Sequence, residues 1–280
     1  MLRCAEPDEL SNDLFRDEDV LNGTEATEAL RDQPGRVWVD IDNESHSLRF
    51  YGRVVREDRN PLILLEGDRL RGTNKRGDLR VIGRHGEESA RMKQRKAEQT
   101  AIALDRTFVN LARPGVFGST GDHGQRRRRR ETEIVNAAIS HLKEVFGWSR
   151  LNIAGQSGGG HLVGMLLSLR EDIDHAVIAS GNVAVWQRLR EKGLAEDMTG
   201  YGDPVDPIDH VNVVAQHAPK SVIMLTDLRD KAVSATSQTA YFEALKKAGI
   251  NVVQRHLPGD GDEHHGLMQA ALLAAADFDP

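Results

Sequence analysis

The sequence predicts an α/β fold in which helices cover both faces of a mostly parallel sheet. From residue 61 onward, short apolar segments of strand character alternate with longer segments of helical periodicity, and this pattern is typical of parallel strands joined by crossover helices. Before them, residues 36–42 and 47–52 alternate apolar and polar side chains on either side of a turn at 43–46. That alternation predicts an antiparallel hairpin at one edge of the sheet.

The composition is that of a globular protein. Hydrophobic residues make up 39% of the 280 residues and charged residues 29%, which excludes collagen, coiled coils and fully disordered chains. No apolar run approaches the roughly 18 residues of a membrane helix, and the N-terminus lacks the apolar core of a secretory signal. The one cysteine, Cys4, cannot form an intrachain disulfide. We therefore expect a cytoplasmic protein without a membrane partner.

Negative charge is concentrated at the N-terminus. Residues 1–35 contain ten Asp or Glu against three Arg, whereas the whole chain has a net charge of −6. We interpret them as an acidic arm, composed of short helices or partly disordered, that precedes one domain at 36–280. A nucleic-acid partner is not expected, because the chain has no general basic surface and only 5% aromatic residues.

The elements after the hairpin follow from their periodicity. The predicted strands are the apolar runs at 62–65, 107–111, 151–154, 176–179, 221–225 and 252–254. The predicted helices carry apolar residues three or four positions apart and lie at 87–104, 131–146, 159–169, 237–248 and 267–277. Residues 181–219 include an amphipathic stretch and are predicted to form a small cap.

A nucleophile is predicted in one of the loops that follow the strands, where open α/β sheets bind their ligands. The segment Gly155–Gly159 reads Gly-Gln-Ser-Gly-Gly and fits G-x-S-x-G between an apolar strand and an apolar-faced helix. Glycines two positions from the serine avoid collisions in the sharp turn. Ser157 is then the nucleophile, and the backbone N–H of Gly158 is one oxyanion donor.

A close-packing or phosphate-binding turn is the alternative interpretation of this segment. The dinucleotide pattern G-x-G-x-x-G begins at Gly158 but fails at Val163, and the lysine of a P-loop is missing. The strand-to-helix setting therefore favours a nucleophile.

A serine nucleophile needs a histidine base oriented by a carboxylate, and in this kind of fold the chain order is Ser, acid, His. After the strand at 221–225 the candidate acids are Asp227 and Asp230, and after the last strand the candidate bases are His264 and His265. Acidic residues beside these histidines could suggest a metal site, but neither H-E-x-x-H nor paired zinc spacing is present. No metal and no cofactor is expected.

These motifs resemble those of the α/β-hydrolase superfamily, and in particular the catalytic domain of prolyl-oligopeptidase-like serine peptidases and esterases. The family's acid lies in a D-x-x-V segment, which Asp230–Val233 matches, and its base lies in a D-E-x-H-G segment, which Asp262–Gly266 matches with His265 as the base. The resemblance covers roughly residues 60–280. It implies an α/β-hydrolase fold and a triad of Ser157, His265 and Asp230.

The chain departs from the family in the loop after its first parallel strand. That loop usually begins with His-Gly, whereas this chain has Glu66, Gly67 and Asp68. We expect the second oxyanion donor to be the backbone N–H of Gly67 or Asp68.

A run of five arginines at 126–130 allows two interpretations. It is either a solvated loop paired with the acidic arm or with Glu131 and Glu133, or a site where Arg126 and Arg127 hold an anionic substrate group. Trp186 and Tyr201 in the predicted cap are candidate substrate contacts, with ordinary packing as the alternative.

The sequence thus predicts a serine hydrolase that cleaves an ester or amide bond through an acyl-enzyme intermediate. The expected partner is a small ester, an amide or a short peptide, and a homo-oligomer is left open. The alternative is a catalytically inactive binding protein of the same fold, because the loop at Glu66 is atypical.

Overall fold

The computed structural model describes residues 2–278, and the chain forms two compact units. The first unit comprises the chain up to Ile63, Asp68–Ser149 and Met198–Gly200. The second unit comprises Leu64–Gly67, Arg150–Asp197 and the chain from Tyr201 onward.

The first unit contains the predicted hairpin, which β1 and β2 form. The strands of this unit are β1 (Arg36–Ile41), β2 (Glu44–Arg53), β3 (Leu62–Leu65, of which the first two residues belong here), β4 (Leu70–Arg71), β5 (Arg80–Val81) and β6 (Phe108–Leu111). Its helices are α1 (Asp17–Asn22), α2 (Ala90–Leu104) and α3 (Arg129–Phe146). The main strands follow the order β1, β2, β6, β3, and β2 is antiparallel to both β1 and β6.

The hairpin turn is tighter than predicted. Asp42 and Asn43 have φ angles of 49° and 66°, and β2 already begins at Glu44. A two-residue turn of this kind requires positive φ at both positions, which Asp and Asn tolerate. The predicted turn at 43–46 is therefore too long, although the antiparallel pairing is confirmed.

The second unit consists of parallel strands and helices. Its strands are the end of β3, β7 (Leu151–Gln156), β8 (Ile173–Ala179), β9 (Ser221–Thr226) and β10 (Val252–His256), in this order. Its helices are α4 (Gly158–Leu169), α5 (Val185–Glu191), α6 (Val211–Val214), α7 (Ala235–Lys247) and α8 (Met268–Ala276). Strands β7 to β10 are parallel, which confirms the predicted α/β architecture.

Helices α4 and α8 each pack on β7 and β8, while α7 packs on β9 and β10. The inner strands are buried along most of their length, as their apolar runs predict. None of the helices that the structure describes combines the length and the apolarity that crossing a bilayer requires.

The acidic N-terminal segment is tied to the first unit by backbone hydrogen bonds. Phe15 N donates to Glu88 O at 2.9 Å, and Thr24 and Gly121 exchange two bonds of 3.0 and 2.7 Å. The segment contains α1 and two single turns of 3₁₀ helix, at Pro7–Glu9 and Glu28–Leu30. The domain boundary at residue 35 and the cap at 181–219 stay predictions.

Asp174 links the starts of three neighbouring strands in the second unit. Its side chain on β8 is buried and accepts hydrogen bonds from Arg150 Nε at 2.7 Å and from Lys220 Nζ at 2.8 Å, and these two residues directly precede β7 and β9. Burial alone would raise the pKa of the Asp174 carboxyl, but the bonds from Lys220 and Arg150 hold that pKa below its ordinary value.

We expect Asp174→Asn to lower the free energy of unfolding by about 1–3 kcal/mol near neutral pH, because charged hydrogen bonds are lost. The folded pKa lies below the unfolded one, so Asp174 stabilises the fold above the unfolded pKa of about 3.9 and loses this contribution as the pH falls through the folded pKa. Urea unfolding of both proteins at several pH values should show their difference shrinking on acidification. Asp32→Asn, at an exposed carboxylate, is the control. A difference that stays constant into acid would contradict this account.

Candidate active site

Ser157 lies at a sharp turn between β7 and α4 in the second unit. Its φ of 56° and ψ of −118° are unusual for a residue with a side chain. Its backbone N donates to Ala179 O at 2.9 Å, and its carbonyl accepts from His161 N at 3.0 Å. These bonds hold the turn in place, because one ties Ser157 to the neighbouring strand β8 and the other to the first turn of α4.

Three glycines allow the backbone to approach itself at this turn. A Cβ at Gly155 would lie 2.4 Å from the carbonyl oxygen of Gly159, and a Cβ at Gly159 would lie 2.0 Å from that of Leu65. A Cβ at Gly160 would lie 2.9 Å from Cα of Gly181. Real Cβ atoms do not approach other atoms this closely, so glycine is required by contact with neighbouring backbone.

The loop after β3 reaches the same serine. A Cβ at Gly67 would lie 3.1 Å from Cβ of Ser157 and 3.7 Å from its Oγ. Gly158 is the first residue of α4, and the first N–H groups of a helix have no partner inside it. The backbones of Gly67 and Gly158, two of the three predicted oxyanion residues, therefore both adjoin Ser157.

Asp230 and His265 are brought together by the loops after β9 and β10. His265 Nδ1 lies 2.8 Å from Oδ2 of Asp230, whose side chain is fully buried. The other carboxylate oxygen, Oδ1, accepts from the backbone N–H groups of Ala232 and Val233, each at 2.9 Å. Since an ionised carboxylate only accepts, Nδ1 of His265 carries the proton of this bond and Nε2 is left as the acceptor.

Asp227 and His264, the alternative candidates, do not form a close pair. Nδ1 of His264 lies 3.9 Å from Asp227, and Asp227 accepts instead from Gly259 N at 2.7 Å and from Arg229 N at 2.8 Å. Hydrogen bonds from Arg229 and Gly259 hold the pKa of Asp227 well below its usual range. Asp227 thus fixes the start of the loop that carries the histidines.

Gln156 is a site residue that the sequence analysis missed. Its Nε2 donates to the backbone oxygen of His265 at 3.2 Å and so ties the histidine loop to the residue before Ser157. The polar amide in the variable position of G-x-S-x-G was a signal, but its partner lies 109 residues away. Among residues 2–278 no hydrogen bond joins the Ser157 hydroxyl to the His265 ring, and such bonds are often long before substrate binds.

Asp68, the third predicted oxyanion residue, is the centre of a buried ionic cluster in the first unit. Its carboxylate pairs with Arg113 at 2.8 Å, with Arg126 at 3.4 Å and with Arg127. Glu131 completes the cluster by accepting from Arg113 at 2.6 Å. Burial alone would raise the pKa of Asp68, but Arg127, Arg113 and Arg126 hold it well below its usual range.

A solvated loop is therefore the wrong interpretation for Arg126 and Arg127, because both are buried against Asp68. The solvated-loop interpretation suits Arg129 better, since its exposed side chain pairs with Glu133 at 2.6 Å. Arg130 pairs with Asp42 and Glu44 of the hairpin, and not with the acidic arm. A substrate-binding role for Arg126 and Arg127 stays a prediction.

The two aromatic candidates of the predicted cap are half-buried in the second unit. The backbone N of Trp186 donates to Asp206 Oδ2 at 3.0 Å, and the backbone oxygen of Tyr201 accepts from Asp197 N at 3.3 Å. Both bonds involve the backbone, so contact of either ring with substrate stays a prediction. Among the described residues, no group of three or more His, Cys, Asp or Glu side chains is arranged to hold a metal ion.

The mostly parallel sheet and the strand-serine-helix turn define an α/β-hydrolase-fold serine hydrolase. The model of the prolyl oligopeptidase family matches residues 120–274, which is more than half of the chain. The chain belongs to that family. No curated protein sequence is significantly similar to it.

Several solved structures share the fold. An esterase from Pyrococcus furiosus is 14% identical with a TM-score of 0.58, and the match covers 91% of this chain and 94% of that one. Est1E from Butyrivibrio proteoclasticus is 16% identical with a TM-score of 0.58, covering 87% and 97%. The acylaminoacyl peptidase of Pyrococcus horikoshii is 12% identical with a TM-score of 0.57, covering 87% of this chain and 39% of the peptidase.

We expect Gly159→Ala to destabilise the protein and to abolish activity, because its Cβ would overlap the Leu65 carbonyl. Gly202→Ala is the matched control, since a Cβ at Gly202 meets no atom within 4 Å. Thermal unfolding and hydrolysis of a chromogenic ester should separate the two variants. Wild-type stability and turnover in Gly159→Ala would show that the turn does not need this close contact.

Proposed function

We propose that the chain hydrolyses an ester or amide bond with Ser157 as nucleophile, His265 as base and Asp230 as the residue that orients the base. The observation that supports this most directly is the 2.8 Å bond between His265 Nδ1 and a fully buried Asp230. It leaves Nε2 of His265 as the acceptor that a serine nucleophile requires.

In this mechanism Ser157 Oγ attacks the substrate carbonyl carbon while His265 Nε2 takes the hydroxyl proton. The carbonyl electron pair moves to oxygen, and the backbone N–H groups of Gly158 and Gly67 stabilise the resulting oxyanion. Collapse of this intermediate breaks the bond to the leaving group, which receives the proton from His265. A water molecule then attacks the acyl-enzyme with His265 as base, and the acid is released.

An ester is the substrate class that we propose first. The Pyrococcus furiosus protein of the same fold is described as an esterase, and a further structure of Est1E contains bound ferulic acid. Because another protein with the same fold is described as an acylaminoacyl peptidase, an amide should be assayed beside the ester. Comparison of a p-nitrophenyl ester with an aminoacyl p-nitroanilide of similar size would decide between them by kcat/KM.

We expect a fluorophosphonate probe to label the wild-type protein at Ser157 and to leave Ser157→Ala unlabelled. Loss of a triad nucleophile typically lowers the rate on the order of 10⁶-fold, so ester turnover should vanish as well. Ser168→Ala, in the same helix, should keep both labelling and turnover. The measurement is mass spectrometry of the labelled peptide, with circular dichroism to show that each variant is folded. Labelling that persists in Ser157→Ala would refute the mechanism, and a folded but unlabelled wild type would indicate an inactive binding protein.

The neighbouring residues provide a second test. His265→Ala should lose nearly as much activity as Ser157→Ala, and Asp230→Asn should lose about 10⁴-fold in kcat because the ring is no longer held in the required tautomer. His264→Ala should keep a substantial part of the activity, since His264 makes no close contact with Asp230. Asp227→Asn should lose much less than Asp230→Asn. If steady-state kinetics rank either pair in the reverse order, His264 would be the base or Asp227 the acid.

A further inference from the structure

Two arginines in the first unit are buried side by side. Arg36 on β1 is directly opposite Arg49 on β2, so the two side chains lie on the same face of the hairpin. They are 8% and 9% exposed. Burial of a charged group is costly unless an opposite charge accompanies it.

Neither guanidinium has a carboxylate partner among residues 2–278. Arg36 donates from Nε to Gln33 Oε1 and from Nη1 to Ser47 Oγ, both at 3.2 Å, and all these acceptors are uncharged. Arg49 donates from Nη1 to the backbone oxygen of Pro34 at 2.8 Å, while its buried Nε has no hydrogen-bond partner. This contrasts with Arg113 in the same unit, whose burial is compensated by two carboxylates.

Both side chains nevertheless stay positively charged at neutral pH. Burial, with the charge of Arg49 nearby, lowers the pKa of Arg36 to about 10, and burial also lowers the pKa of Arg49. An arginine guanidinium stays protonated in proteins, so this face of the hairpin carries two positive charges, and no carboxylate of the described chain forms an ion pair with either.

A cavity of about 230 Å³ adjoins this pair. Arg36 forms part of its wall, and so does Gly118, where a Cβ would lie 3.8 Å from the unpartnered Nε of Arg49. The apolar part of the wall is formed by Phe15, Leu30 and Phe117. Arg36 therefore faces a cavity with a partly apolar wall, and Arg49 lies behind Gly118 without lining it.

Two acidic residues also line the cavity and restrict the charge of its ligand. Asp19 is paired with Arg16 at 2.6 Å, whereas Glu25 is exposed. A dianion would be repelled by these carboxylates more strongly than a monoanion. The volume is small compared with the roughly 300–1,000 Å³ of pockets for drug-sized ligands.

We infer that this cavity binds a small organic carboxylate, whose oxygens accept a hydrogen bond from Arg36 and are attracted by the nearby charge of Arg49, and whose apolar body lies against Phe15, Leu30 and Phe117. The planar guanidinium suits a carboxylate, which can accept two parallel hydrogen bonds. The bound anion supplies the charge that the hairpin lacks.

Benzoate is the probe, because it joins a carboxylate to an apolar ring. It should bind the full-length protein in isothermal titration and raise its melting temperature, whereas neutral benzamide should not. Arg36→Gln should weaken benzoate binding about tenfold or more, because a charged hydrogen bond is lost, and Arg49→Gln should weaken it by a smaller factor, because an attracting charge is lost. Arg129→Gln removes one exposed charge elsewhere and should bind benzoate like the wild type.

The inference is overturned if benzoate does not bind, if benzamide binds equally well, or if binding survives both substitutions. Tighter binding of inorganic phosphate than of benzoate would overturn the assignment of an organic carboxylate. Peptide-resolved hydrogen exchange of the wild-type protein keeps the test valid if a variant fails to fold. Benzoate should slow exchange in residues 115–120 and in the hairpin, and unchanged exchange there would also overturn the inference.

Discussion

The site depends on one close backbone contact, in which the start of α4 touches the end of β3. Gly159 approaches the carbonyl oxygen of Leu65 so closely that a Cβ would lie 2.0 Å from it. The same approach brings Gly67 next to Ser157. A serine with a φ of 56° is costly by itself, and hydrogen bonds to β8 and to the first turn of α4 hold it in this conformation. The strain at Ser157 is thus balanced by packing of glycine against backbone.

The two other elements of the candidate site are positioned by separate sets of hydrogen bonds. Asp230 receives two backbone N–H groups on the oxygen that faces away from His265, so its remaining oxygen is directed at the ring. Asp227 fixes the start of the next loop through Gly259, and Gln156 holds the backbone of His265 itself. Asp227, three residues before Asp230, therefore anchors the histidine loop through its backbone and lies 3.9 Å from the nearest histidine nitrogen, on His264.

The sequence predicts those features that depend on local periodicity and on glycine spacing. The alternation of strands and helices and the Ser157 turn follow from such local patterns, whereas the choice of Asp230 over Asp227 followed from the resemblance to prolyl-oligopeptidase-like enzymes. The contacts that could not be predicted join residues far apart in the sequence. Gln156 donates a hydrogen bond to the backbone of His265, and Asp68 forms ion pairs with three arginines from two different segments. The hairpin turn was misplaced because Asp42 and Asn43 adopt positive φ, which their alternation with neighbouring residues does not reveal.

The buried arginines of the first unit fall into two groups, one with a carboxylate partner and one without. Arg113, Arg126 and Arg127 surround Asp68, so a carboxylate within the fold compensates their burial. Arg36 and Arg49 repel each other and have only neutral acceptors. A folded chain gains nothing from keeping two such charges together, because well-packed neutral side chains would avoid the cost of burying them. Their adjacency to a cavity therefore favours a ligand as the missing partner, since a bound anion would reduce the net positive charge of the pair.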